Sequence, residues 1–443
     1  MRSTKPTTTE EGEGEGSTRW SALRRLPLWG IGITILLLLG ALASAPAVRD
    51  AVTGESVSEA ALSFSPAYLA LSPVFDTLDA LMLLSARDHV AVLVWVIGLF
   101  AAWRVFRKRL PAAPAVGRAR KEAGVATLFL FAIAIVYVLG AVAPRPMAQL
   151  TISVGHREDV LAIDVHSHTQ YSHDGRPGWT PEDVRAWHRD AGYDVAYISD
   201  HRTFEGIERG IANNSLQAGQ GTMLLPALEV VWHGEHVIVL NAGWRFKGLT
   251  DPNLRDIDDQ ALALASTIPK TEPVLIETFP GSLANMRPAR GPGTAGVRAI
   301  EIIDGDPRGL GQTRRERVRI VRAADSLDLA LVAASNNHGW GHTAPGWTLL
   351  RIPGWRGMGE DSLSTRIDRV LREGGRGATR VVERAGGTGD GFLAVVLALP
   401  VVVWRLMSTL AADQRVMWLV WTWALVLIFR STRKARRRRP SPA

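Results

Sequence analysis

Five apolar runs, three ahead of a long polar stretch and two behind it, constrain this chain more than any other feature. Leu26 to about Val48 follows Arg24-Arg25 and is long enough to cross a hydrocarbon layer of about 30 Å. Val90 to Val105 and Gly124 to Val142 form a second and a third run. Beyond the polar stretch come Phe392 to about Ala412, which Pro400 should kink or break, and Val416 to Phe429. Trp418, Trp421 and Trp423 in the last run fit an interfacial belt. Ala43-Ser44-Ala45 has the spacing of a signal-peptide cleavage site, but two further spans follow, which favours an uncleaved first helix. A pair of core helices is the rival reading of the last two runs. Residues 56–86 carry Asp76 and Asp79 and read as an amphipathic or loop segment.

Charge follows the same division. The net charge of +8 would suit a nucleic-acid binder if it were spread over a face. Instead, residues 430–443 hold seven cations and no acid, and residues 104–121 hold another seven and no acid. Residues 150–390 carry 27 basic and 31 acidic side chains, so nucleic acid is not an expected partner. Cations beside apolar runs read as anchors at membrane lipid headgroups. Short cationic loops tend to stay cytoplasmic, which places residues 19–25 and 104–121 inside and 150–390 outside. Two full C-terminal crossings would then leave the Arg-rich tail outside, against that rule. Either one of those runs does not cross or the tail is the exception. The expected organisation is a disordered cytoplasmic tail (1–25), a membrane region with about three transmembrane helices (26–149) and a globular domain (150–390). One or two transmembrane helices (391–429) and a basic tail (430–443) complete it.

Inside the domain, short β-branched runs alternate with amphipathic stretches. Strands are expected at 160–165, 194–199, 223–228, 236–241, 273–278, 297–303 and 329–334, with helices at 312–326 and 361–373. Thr180-Pro181-Glu182-Asp183 supplies an N-cap, a first-turn proline and first-turn acids for another helix to about Ala191. This alternation implies an α/β fold with a parallel sheet or barrel. Arg287 to Gly296 is a Pro/Gly/Arg loop.

Ten of the eleven histidines lie between 156 and 342, and many fall at strand ends. His166 and His168 follow one strand and Asp200-His201 the next. Glu229 ends a third, His236 opens a fourth, and Asn336-Asn337-His338 follow the strand ending at Ser335. Polar groups at the ends of successive barrel strands converge on one mouth. Imidazoles and carboxylates gathered there suit borderline divalent ions, Zn, Mn or Fe. Cys is absent, which removes thiolate nucleophiles and Cys-based zinc sites.

Asp164-Val165-His166-Ser167-His168-Thr169, Tyr171-Ser172-His173-Asp174-Gly175 and Ile198-Ser199-Asp200-His201 resemble the opening motifs of the PHP (polymerase and histidinol phosphatase) superfamily. Glu229, His236 and Ser335-Asn336-Asn337-His338 fall where its later motifs would, and the resemblance spans roughly residues 160–350. It implies a distorted (β/α)₇ PHP-type barrel, here flanked by transmembrane α-helices, with two or three divalent metal ions at the mouth. Carried over, His166, His168 and Glu229 hold one ion, Glu229 and His236 a second, and Asp174, His201 and His338 a third. Two positions depart from the family: Asn336 stands where it has Asp, and Phe279-Pro280-Gly281 stands where it has His-Pro. Glu277, two residues before Phe279 and on the same side of the strand, is a candidate to replace the missing imidazole. Asn336 is a further candidate ligand, and two tightly held ions are expected.

The resemblance also implies a hydrolase, in the first place a phosphoesterase, with water activated by the ions as nucleophile and a small-molecule ester as substrate. Arg202, Arg287, Arg290 and Arg298 are candidates for a phosphate clamp, and His342 for a ligand or proton donor. Trp232, Trp340 and Trp347 near the expected mouth suit an organic substrate. Two rivals stay open: hydrolysis of a carboxylic ester or amide by the same ions, and a degenerate binding or sensing module without turnover. A transporter is disfavoured, since the spans carry no intramembrane acids.

Overall fold

The computed structural model describes residues 27–107, 115–201, 203–240, 274–290, 296–384 and 386–437; the N-terminal tail, Arg202 and the last residues of the basic tail lie outside them. Helix α1 (Leu28–Leu42) leads into β1 (Val48–Asp50), β2 (Ala60–Ser63), α2 (Pro66–Ala70) and α3 (Ser72–Met82). Two long apolar helices follow, α4 (Ala86–Arg107) and α5 (Ala115–Val142), then β3 (Gln149–Ile152). The globular part runs β4 (Val160–Ser167), α6 (Pro181–Ala191), β5 (Val195–Ile198), α7 (Glu205–Ile211), β6 (Met223–Trp232), β7 (Glu235–Leu240) and β8 (Leu275–Glu277). It continues through β9 (Val297–Asp304), α8 (Arg314–Leu327), β10 (Ala330–Ala334), β11 (Gly346–Arg351), α9 (Glu360–Glu373) and β12 (Thr379–Arg384). Helices α10 (Phe392–Val396), α11 (Ala398–Thr409) and α12 (Ala412–Arg437) close the described chain.

Local sequence explains the boundaries. Thr180 accepts the backbone N–H of Asp183 while the Asp183 carboxylate accepts that of Thr180, so α6 starts with two orphan donors satisfied. It stops at Gly192, whose φ of 90° an L side chain would resist. Thr313 and Glu316 repeat the device at α8.

Ten strands make one curled sheet in the order β1-β12-β11-β4-β5-β6-β7-β8-β9-β10. Pairs β4–β5–β6 and β8–β9–β10 are parallel, and each strand is buried on both faces, as such sheets require. Strict βα alternation breaks at β7, which runs antiparallel to β6 and β8. His233 and Gly234, both at positive φ, turn the β6–β7 hairpin, so no helix fits there. The curl closes at one end, where Asn336 N–H donates to the His166 carbonyl (2.9 Å) and His168 N–H to that of Asn337 (3.0 Å). Strands β11, β12 and β1 extend the sheet antiparallel beyond β4; these three strands and α7 have no counterpart among the expected elements.

Among the described residues, three helical segments are long and apolar enough to cross a membrane: Ala86–Phe106, Ala119–Val142 and Ala412–Thr432. The first apolar run departs from expectation. Its helix stops at Leu42 after 15 residues, roughly 22 Å against a core of about 30 Å, because Val48 belongs to β1 and pairs with Arg384. The fourth run breaks at Leu397 rather than at Pro400, which sits in the first turn of α11 where its missing N–H leaves no bond unmade. Arg87 donates to the Gly389 carbonyl ahead of α10, and Trp95 Nε1 donates to that of Val396 (2.7 Å) at its end. Helix α11 then turns back: Arg405 donates to Gly386 and Gly387, and the Ser408 carbonyl accepts from Ala45 N–H (3.0 Å). Helix α12 leaves beside Asp76, and Thr422 and Val426 pack on Gly30 at the outer end of α1.

A buried polar knot ties these helices to the sheet. Asp79 on α3 lies 2.7 Å from Arg145 and 2.9 Å from Arg384, and accepts from Thr343 (2.8 Å) and Tyr68 (3.0 Å). Asp76, one turn away, accepts from Tyr68, Gln414 and Trp418.

Candidate metal centre

The strand ends at the closed rim bring the expected donors together. His166 and His168 are two residues apart on and just past β4, so both rings lie on one face. Their Nε2 atoms are 2.9 Å apart, and Glu229 Oε2 from β6 lies 3.1 and 3.2 Å from them. His201, just past β5, puts Nε2 3.2 Å from the same Oε2 and 3.4 Å from Asp174 Oδ2. His236 of β7 reaches Glu229 Oε1 at 2.6 Å. Three donor groups result, His166–His168–Glu229, His168–Asp174–His201 and His201–Glu229–His236, joined by shared members.

These groups differ from the expected sets in two ways. His201 joins Glu229 and His236, so that pair gains a third donor despite the loss at Phe279. His338 stands beside the groups: its ring stacks on His168 with centroids 4.2 Å apart, Nδ1 is 3.5 Å from Asp174, and Nε2 is 2.9 Å from Asn336 Oδ1. Asn336 therefore faces His338. Glu277 lies outside the three groups, with Oε1 buried and without a hydrogen-bond partner. Burial, with Glu235 and Glu301 nearby, pushes its carboxyl up to about 8. Phe279 packs in the core.

Burial sets the protonation states. It pushes Glu229 up, but His166 and the hydrogen bonds from His166, His168 and His236 outweigh it and hold the carboxyl well below its ordinary range. Burial pushes His201 down to about 4 and His338 to about 3, leaving neutral rings with a free lone pair near neutral pH. Asp174 falls to about 2: burial opposes this, while Ser172 and the histidines around it prevail.

Several supporting acids lie beneath the donors. Glu301, fully buried in β9, places Oε1 2.9 Å from His166 Nδ1 and accepts the Phe279 N–H with Oε2 (3.0 Å). It orients the His166 ring so that Nε2 faces the cluster. Sequence reasoning missed it, although a lone acid within the apolar strand Ala299-Ile300-Glu301-Ile302-Ile303 was the available signal. Asp200 accepts the backbone and hydroxyl of Thr169, and Asp164 faces His188 Nε2 at 2.7 Å; both brace the rim. Glu301→Gln is expected to leave the fold intact and weaken metal affinity about 10- to 100-fold, measured by competition with a chelator. Unchanged affinity would remove Glu301 from this role.

The remaining candidates spread out. Arg287 donates to the carbonyls of Ala284, Asn285 and Met286 in its own loop, Arg290 is exposed in the same loop, and Arg202 lies outside the described residues. Two other arginines lie near the rim. Arg176, whose N–H donates to the His338 carbonyl, sits over Trp179 (5.0 Å) and Trp340 (5.6 Å), and Arg308 sits over Phe279 (5.6 Å). His342 is half-buried in the loop after His338, where burial and Arg145 push it down to about 4.

The donor set fits divalent ions. Ligand atoms about 2.1 Å from a common centre at near 90–110° lie roughly 3.0–3.4 Å apart. The His166, His168, His201, Asp174 and Glu229 atoms are spaced 2.9–3.4 Å. Imidazoles and carboxylates converge without an ammonium or guanidinium among them. Burial pushes the His166 ring down, but Glu229 and Glu301 outweigh it and raise the ring well above its ordinary range, and a cation held at these donors would take the place of that proton.

No family model and no curated protein matches the chain. Among solved structures, PsfC from Pseudomonas syringae is 14% identical, with 56% of this chain and 98% of that chain covered and a TM-score of 0.34. A two-domain protein from Bacteroides vulgatus containing a predicted PHP-like metal-dependent phosphoesterase is 13% identical over 47% of this chain and 63% of that one, with a TM-score of 0.32. An amidohydrolase from Chromobacterium violaceum is 14% identical over 40% and 87%, with a TM-score of 0.25. At scores this low, the functional reading rests on the side chains.

Proposed function

We propose that this chain is a membrane-anchored, metal-dependent hydrolase of phosphate esters. The observation that carries it is the run of three donor groups sharing His168, His201 and Glu229. Divalent ions held there would polarise an ester oxygen and bring the pKa of a water toward neutrality. The chain's own residues do the rest. Glu301 and Glu229 fix the rings, and the more exposed Asp174 and His236 leave one side of the cluster open to substrate. Arg176 and Arg308 supply positive charge for phosphate oxygens.

The full chain, purified in detergent, is expected to carry two divalent ions by elemental analysis. It should turn over phosphomonoesters or phosphodiesters faster than carboxylic esters and amides. Metal-loaded protein active only on carboxylic esters or amides would replace the phosphate reading. Metal-free, inert protein would make the domain a binding module.

The membrane reading is supported by the three bilayer-length helices and by the return of α10–α11 toward the sheet. With α12 as the single C-terminal crossing, the basic tail and the 104–121 segment share one side, and the hydrolase domain lies on the other. We place the cationic side in the cytoplasm. A reporter fused after Ala443 should report the cytoplasm and one inserted at Lys270 the outside; the reverse result refutes the orientation.

A further inference from the structure

Beside the metal centre a cavity of about 440 Å³ runs between the His338 loop and the ends of the two long helices. His338 and Asn336 form one part of its wall, and Leu83, Leu84, Ala141 and Leu310 contribute apolar wall elsewhere. The lining is predominantly apolar, and its volume is of the size that takes up a drug-sized ligand, far more than a phosphate group requires. His89 on α4, a polar group in the lining, is already paired with Tyr137 of α5 at 2.9 Å, so it makes no demand on a ligand.

The cavity sits where the bilayer-length helices meet the globular part. Helix α4 begins at Ala86 and α5 ends at Val142, both beside it. The loop over it is fastened to the same place: Gly341 N–H donates to the Ala141 carbonyl (2.7 Å), and Arg145 donates to Thr343 (2.8 Å). Trp340 on this loop lines the cavity yet keeps 54% of its surface exposed, as aromatics at a membrane surface do.

We infer that the substrate is an amphiphilic ester taken from the membrane, its headgroup at the metal centre and its apolar chain in the cavity between the His338 loop, Leu83–Leu84 and Ala141. This rests on the hydrolase reading for the fate of the headgroup, but not for the binding of the chain. A small water-soluble ester would leave the apolar wall hydrated, whereas an alkyl chain removes it from water. The position at the helix ends lets a lipid-like molecule reach the donors without leaving the bilayer surface entirely.

Full-length protein in phosphatidylcholine nanodiscs tests both halves. A dodecyl phosphate carrying a photoreactive diazirine in its chain should label peptides containing Leu83–Leu84 or Trp340, with unlabelled dodecyl phosphate competing. Ala141→Trp, which fills the cavity, should reduce that labelling at least tenfold. Labelling confined to outward-facing positions such as Leu128 and Phe131 would overturn the chain site, and needs no variant to be read. Across alkyl phosphates from ethyl to dodecyl, kcat/KM should rise at least about tenfold. Equal kcat/KM for short and long chains would overturn the inference and leave the hydrolase standing. Labelling of the cavity without turnover of any ester would uphold the amphiphile site and overturn the hydrolase.

Discussion

Glu229→Gln is expected to strip the chain of its divalent ions and to lower turnover by at least about 10³-fold. The Glu229 carboxylate touches four imidazoles: His166, His168 and His201 through Oε2 at 3.1–3.2 Å, and His236 through Oε1 at 2.6 Å. It belongs to two of the three donor groups, so losing its charge weakens both. Glutamine keeps the shape but removes the charge and turns one oxygen into an NH₂ that has no lone pair to offer a ring N–H or an ion. Metal ions supply several kcal/mol of charge stabilisation, and each 1.36 kcal/mol is a factor of ten in rate. Elemental analysis and steady-state rates on the full-length variant, with circular dichroism as the folding control, decide the matter. Retention of metal and rate would show that the cluster is not the working site.

The second large effect concerns stability. Asp79→Asn should cost about 3–5 kcal/mol and lower the apparent unfolding midpoint by roughly 10 °C. Asp79 is buried between Arg145 and Arg384, and the neutral amide would leave both guanidiniums without their counter-charge. Burial pushes the Asp79 carboxyl up, but Arg384 and Arg145 outweigh it and hold it below the ordinary 3.8. A carboxyl lowered on folding contributes stability above its unfolded value and loses it as the pH falls through the folded one. The gap between wild type and variant should therefore be full above 3.8 and close at more acidic pH. A variant that melts within two degrees of wild type at neutral pH would remove the knot as a stabilising element.

Much of the globular part was legible because its signals are local. The cap at Thr180 and the apolar strand runs at 160–165, 223–228 and 297–303 depend on neighbours a few residues away. The histidines were legible as a set, since donor types at strand ends point to one mouth whatever the exact pairing. Their grouping was not. Which imidazole joins His236 depends on the curl that carries His201 over Glu229, and Glu301 acts only because the same curl brings its side chain to His166.

Composition and order alone determined that cations gather beside apolar runs, that the middle of the chain is acidic on balance, and that it carries imidazoles and carboxylates but no thiol. Tertiary structure decided which runs can cross. Hydropathy measures how apolar a segment is, whereas crossing depends on where its ends are tied. Leu28–Leu42 is cut short because β1 must reach β12, and α10–α11 turns back because Arg405 and Ser408 are bonded at the sheet end. The ties of Val48 to Arg384 and of Ala45 to Ser408 join residues hundreds of positions apart, and no window of sequence contains both partners.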